Sequence, residues 1–232
     1  MTESPLTVSP VFQLGPVVIT EPVLATWAIM AVVTIISVVM SRQLSLAPGK
    51  MQTALELLVD TIDQQIRDTM QAEPGPYRAL IGTLFVFVLI ANWCALVPGV
   101  TPPTARLETD AALALVVLGA AVFHGLRSRG LAGYLASFAE PSWVMIPLNV
   151  VEQITRTFSL VVRLFGNVMS GVFVIGIVLS LAGLLVPIPL MALDLLTGAV
   201  QAYIFAVLSM VFIGAAIGEP QPANVKEAKT HE

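Results

Sequence analysis

Six polar residues, Glu152, Arg156, Ser159, Arg163, Asn167 and Ser170, recur at intervals of four, three, four, four and three inside an otherwise apolar stretch, which is the spacing of one helical face. Arg163 is the most demanding of them. An arginine at the centre of a membrane helix costs about 2.5–3.5 kcal/mol on insertion scales and about 10–17 kcal/mol in simulations of an isolated helix. A guanidinium cannot shed its proton, so it keeps that cost as a permanent cation. Glu152 and Arg156 stand four apart in the favourable order for an ion pair, which leaves Arg163 without a local counterion. Gly166, Ser170 and Gly171 flank the stripe and allow another helix to approach closely. Downstream, Asp194, Thr197 and Gln201 share a second helical face, with Gly198 beside them, and an aspartate there must turn toward water or toward the first stripe. Two readings fit the stripe: internal packing against another polar helix of the chain, or a face turned to a partner or an aqueous path.

The composition says what must hold these residues. Of 232 residues 56% are hydrophobic and 11% charged, too little polar surface for a soluble domain of that size. The chain reads as an all-α integral membrane protein of one membrane domain, residues 22–218, with an outer N-terminal segment 1–21 and a mobile cytoplasmic tail 219–232 rich in proline and charge. Spans are expected at about 23–41, 79–97 and 109–126, the last with Thr109 or Asp110 available as a cap. Two longer helices, about 148–184 and 190–217, are separated by Pro187-Ile188-Pro189. The first of these would be roughly 55 Å long against a hydrocarbon thickness of about 30 Å, so both are read as strongly tilted. Residues 51–70 put Leu55, Leu58, Val59, Ile62, Ile66 and Met70 on one face and Glu56, Asp60, Asp63, Gln64, Arg67 and Asp68 on the other. That is an amphipathic surface helix, and its acidic polar face favours a protein partner over lipid alone.

Arg42 and Lys50 follow the first span, Arg127 and Arg129 the third, and Lys226 and Lys229 lie in the tail. With five passes all fall on one side, which predicts an outer N-terminus and a cytoplasmic C-terminus, with Arg106 as a mild exception. The first apolar run has no Lys or Arg ahead of it and no small-residue cleavage site, so it is read as a retained span. The net charge of −4 and the absence of basic-aromatic interleaving exclude nucleic acid as a partner. The single cysteine, Cys94, permits no internal disulfide and reads as a small buried hydrophobe. His124 and His231 read as interfacial or solvated residues. No metal site and no cofactor is expected.

The chain resembles subunit a of the F-type rotary ATP synthases over residues of about 20–218. The likeness rests on Ser159-Leu160 with Arg163-Leu164-Phe165-Gly166-Asn167, preceded by Glu152 and Thr155-Arg156 and followed by Gln201-Ala202-Tyr203-Ile204-Phe205. Asn92-Trp93 leading to Leu96-Val97-Pro98-Gly99, and Pro103-Thr104-Ala105, add to it. The resemblance implies a non-catalytic stator in a bacterial inner membrane, lying against a rotating ring of small hairpin subunits that each bear a membrane carboxylate. It further implies contact with a peripheral stalk subunit, and an indirect link to the catalytic ATPase head, where the nucleotide chemistry belongs. Ions would reach and leave the ring through two aqueous half-channels. Arg163 would favour the ionised ring carboxylate as it passes between them, in a salt bridge that must stay transient. Asn167 and Gln201 match polar positions near the arginine, and interhelical hydrogen bonding is their alternative role. Glu152, Ser170 and Asp194 are implied as half-channel lining.

The chain also departs from the family pattern. Many bacterial members carry a glutamate nine residues after the arginine and a histidine seven before the glutamine; here those positions are Val172 and Asp194. The expectation is that the acidic function has moved across to the second helix. Arg106 and Glu108 stand where other polar residues are usual, and the coupling ion, H+ or Na+, is left open. Other readings are an ion-coupled secondary transporter and a membrane assembly or scaffold subunit. The chain shows no internal repeat of the transporter kind, and a scaffold has no use for an isolated arginine. An intramembrane protease lacks its His-Glu-x-x-His motif, its Gly-x-Ser-x-Gly elbow and its second aspartate.

Overall fold

A backbone without water must satisfy its amides internally, so each long apolar run becomes a helix. The computed structural model describes residues 10–14, 17–42, 49–96, 102–138, 143, 145–183 and 186–218. Among these, a short antiparallel ribbon, β1 (Pro10–Leu14) and β2 (Val17–Thr20), leads into six helices. They are α1 (Glu21–Arg42), α2 (Lys50–Met70), α3 (Gly75–Trp93), α4 (Leu107–Phe138), α5 (Met145–Ala182) and α6 (Ile188–Ile217), with 3-10 turns at Cys94–Leu96 and Pro103–Ala105. All of these helices except α2 are long and apolar enough to cross a membrane. The protein is an all-α integral membrane protein with five such helices and one amphipathic helix. The tail 219–232 and the Val97-Pro98-Gly99 stretch lie outside the described residues.

Helix α6 is the hub, packing against α2, α3, α4 and α5. It buries Ala202 and Phe205 with Leu84 and Val88 of α3, Ala114 and Val117 of α4, and Leu160, Val161 and Leu164 of α5. One turn and more further along, Ala206, Met210 and Ile213 join Ile66 and Met70 of α2, Ile81 of α3 and Ala121 of α4. Helix α1 stands apart, touching β2, α3 and the Pro103–Ala105 turn, with most of its side chains exposed.

Three details differ from the sequence expectations. Helix α4 continues beyond 126 to Phe138, because Arg127 and Arg129 end the apolar run without ending the hydrogen-bonded ladder. Gly130, at φ 72° and ψ 168°, kinks it instead. Asp110 caps nothing: its backbone N–H donates to the Arg106 carbonyl at 3.3 Å within the first turn, and its side chain is buried. Asp63, assigned to the solvated face of α2, is buried too. Arg78 of α3 donates from Nε to Asp63 Oδ1 at 2.6 Å and makes a second bond to Oδ2. The C-terminal half of the apolar face, Ile62, Ile66 and Met70, packs on the bundle, whereas Leu55 and Val59 are exposed. Helix α5 has 38 residues, about 57 Å at 1.5 Å per residue, so the excess length over a bilayer is real.

Candidate functional site

Helix α5 divides lengthwise. Leu160, Val161, Leu164 and Val168 are buried against the bundle, while Phe158, Val162, Phe173, Val174 and Ile177 on the other side are exposed. The polar stripe runs along the border of the exposed side: Glu152, Ser159, Arg163 and Ser170 are exposed, Arg156 and Asn167 half-buried. Among the described residues, no ion pair or hydrogen bond reaches the Arg163 guanidinium. Packing inside the chain therefore does not account for this charge.

The remaining polar residues collect into two groups on either side of it. Toward the N-terminus of α5, Arg156 pairs with Glu152 and lies over the Phe212 ring, 5.8 Å from its centroid. These residues border a cavity of about 390 Å³ formed where α4, α5 and α6 meet, with Arg129, Ser137, Asn149 and Gln153 also on its wall. Toward the C-terminus, the Asp194 carboxylate of α6 lies against Gly171 of α5, where a side chain would collide with it: a Cβ built at Gly171 falls 2.7 Å from Asp194 Cγ. Ser170 stands next to that contact and donates its hydroxyl to the Asn167 carbonyl at 2.9 Å. At 1.5 Å per residue, Arg163 is about 16 Å along the helix from Glu152 and about 12 Å from Gly171. The structure thus brings Asp194 to Gly171, next in the chain to Ser170, and leaves Glu152 well away from both.

Gln201 is buried, and its Nε2 has no partner among the described residues. Its helix is held by the end of α3: Asn92 Nδ2 donates to the Gly198 carbonyl at 2.9 Å and Trp93 Nε1 to the Leu195 carbonyl at 3.2 Å. Sequence reasoning uses Asn92 and Thr104 only for resemblance and Asp110 only as a cap. In the structure all three carry buried oxygens without partners among the described residues: Asn92 Oδ1, Thr104 Oγ1 and both Asp110 carboxylate oxygens. The signal available in the sequence is an acid placed just inside an apolar run. His124 is half-buried and packs on Tyr77 at 4.8 Å and Phe123 at 5.4 Å between ring centroids. Among the described residues no cluster of three or more His, Cys, Asp or Glu side chains is arranged to hold a metal.

The sequence has relatives among known proteins. Residues 23–214 match the family described as ATP synthase A chain. The chain is 53% identical over 218 residues to ATP synthase subunit a 2 of Bradyrhizobium sp. (strain BTAi1), covering 94% of this chain and 98% of that one. It is 45% identical over 188 residues to ATP synthase subunit a of Albidiferax ferrireducens, covering 80% and 81%. It is also 44% identical over 182 residues to ATP synthase subunit a 1 of Chlorobaculum parvum, covering 78% and 80%. A multi-pass membrane protein with five long apolar helices, whose sequence matches over nearly its full length, belongs to the ATP synthase A chain family, the membrane subunit a of the F-type enzyme.

Proposed function

We propose that the chain is the non-catalytic stator of a bacterial rotary ATP synthase, providing two ion half-channels and, in Arg163, the fixed cation that faces the ring carboxylates. The observation that carries this reading is the unpaired guanidinium on the open side of α5, between two separate polar groups. The Glu152 cavity belongs to the inner half-channel and the Asp194–Ser170 region, continued by Asn167 and Gln201, to the outer one. Their separation along α5 means that an ion cannot pass directly from one to the other. It crosses instead on a ring carboxylate that travels between them.

A ring carboxylate arriving opposite Arg163 finds a cation in surroundings of low dielectric, which stabilises its ionised form and releases its ion. Arginine holds its own proton and so does not relay one. The pair stays reversible because Arg163 lies on an exposed face and is not sealed in a dry interior. Selection between H+ and Na+ lies mainly with the ring site. The N-terminus is outside and the C-terminus cytoplasmic, with the exposed half of α2 presented to a peripheral stalk subunit.

The test is Arg163→Ala in the purified, reconstituted complex. Ion-driven ATP synthesis falls by about two to three orders of magnitude, the scale of losing one preorganised electrostatic group, while ATP hydrolysis by the detached head is intact. Normal coupled synthesis overturns the proposal.

A further inference from the structure

Asp110 is fully buried in the first turns of α4, and neither carboxylate oxygen has a donor or cation among the described residues. An isolated carboxylate in an apolar interior is so costly when ionised that it takes up a proton or a cation instead. Thr104, also fully buried, has an unpartnered hydroxyl. It sits in the Pro103–Ala105 turn, which is wedged among α1, α3, α4 and α5. Two adjoining elements therefore contribute buried oxygens that nothing among the described residues uses.

The helical repeat gives their level. One turn along α4 from Asp110 is Ala114, a member of the buried cluster that also holds Val88, Leu164 and Ala202. Asn92 lies one turn beyond Val88, at the C-terminal end of α3, and its Oδ1 is likewise unpartnered among the described residues. Gln201 adjoins Ala202, and Leu164 adjoins Arg163. Unsatisfied polar atoms thus descend from Thr104 and Asp110, past Asn92, to Gln201 at the level of Arg163. Asp194 is a different element of the site, turned to α5 at Gly171.

We propose that Asp110, with the Thr104 hydroxyl, is a buried station that holds one translocated monovalent cation on its way between the outer surface and the level of Arg163. The inference rests on the stator reading and its orientation. It adds a specific loading point on α4, which neither polar group flanking Arg163 supplies. Asp110 binds the cation through its carboxylate, and Thr104 offers the hydroxyl oxygen.

The experiment uses the intact complex. Dicyclohexylcarbodiimide, which attacks protonated carboxyl groups in apolar surroundings, is applied at constant pH, and the peptide of this chain carrying Asp110 is weighed by mass spectrometry. An adduct at Asp110 is expected. Slowing by NaCl but not by choline chloride identifies the cation as Na+, and indifference to both identifies it as a proton. In reconstituted vesicles, Asp110→Asn lowers ATP-driven ion uptake by about a hundredfold, the low side of what a proton-transferring group contributes, and Asp110→Glu restores part of it. Absence of the adduct overturns the proposal even where Asp110→Asn fails to assemble, and so does normal uptake in Asp110→Asn. If Arg163→Ala is uncoupled while Asp110→Asn is normal, only this inference fails. If Arg163→Ala is coupled, the stator reading fails with it.

Discussion

The Asp194 carboxylate occupies the space that a side chain at Gly171 would fill, so the two helices meet through an acid on α6 and a bare backbone on α5. Gly171→Ala must displace the carboxylate, and Gly171→Val must displace the helix. Overpacking of this kind costs about 1–3 kcal/mol. The expected outcome is lowered resistance to unfolding in detergent, with Asp194→Ala restoring stability in the Gly171→Val background. Additive effects of the two substitutions would show that they do not touch.

Asp194→Asn keeps the size of the side chain and removes its ability to carry a proton or a charge. Passive ion flux through the reconstituted membrane sector falls roughly tenfold or more, while assembly is unchanged because the contact with Gly171 is conserved. Undiminished flux would place the acidic group off the route.

Asn92 separates glue from path. Its bond to the Gly198 carbonyl ties α3 to α6, and interhelical hydrogen bonds in membranes average about 0.6 kcal/mol. Asn92→Ala is therefore expected to shift unfolding only slightly and to reduce flux by more than that small destabilisation accounts for. Equal, small effects on both would leave Asn92 a packing residue.

The docking of α2 is expected to depend on Asp63. Asp63→Ala leaves Arg78 without its carboxylate, and hydrogen exchange in the C-terminal half of α2 rises. The exchanged pair Asp63→Arg with Arg78→Asp recovers part of the protection. A second tie, Tyr203 Oη donating to Gln65 Oε1 at 3.3 Å, keeps α2 from detaching entirely, so Tyr203→Phe in the Asp63→Ala background loosens it further.

Much of this is legible in the residues. The long charge-poor runs give the five membrane helices, since length and hydropathy alone decide them, and the period of four and three puts Arg163 on the border of one face of α5. Asp194 is marked by departure from a family pattern, but its contact with Gly171 depends on the packing of α6 on α5. Asp63 and Asp110 mislead for a common reason. Helical periodicity gives the angular position of an acid, not whether another element covers it. Asp63 is covered by α3, which brings Arg78. Asp110 lies beside the Pro103–Ala105 turn, whose path between helices no periodicity encodes. Helix α4 runs longer than its apolar stretch because a basic pair marks an interface without marking a helix end.

The exposed side of α5 has a mechanical consequence. Phe158, Val162, Phe173 and Ile177 stand open along it, and such side chains offer only dispersion, worth about 0.1–0.2 kcal/mol per atom pair and without directional preference. A surface sliding over such a face meets a nearly level energy profile, because atoms that part on one side meet new neighbours on the other. Hydrogen-bonding groups in their place would act as detents that hold a rotor at fixed angles. On the proposed stator reading, the apolar stretch of this face is a smooth bearing interrupted by Arg163, a notch that holds a ring carboxylate in its ionised form.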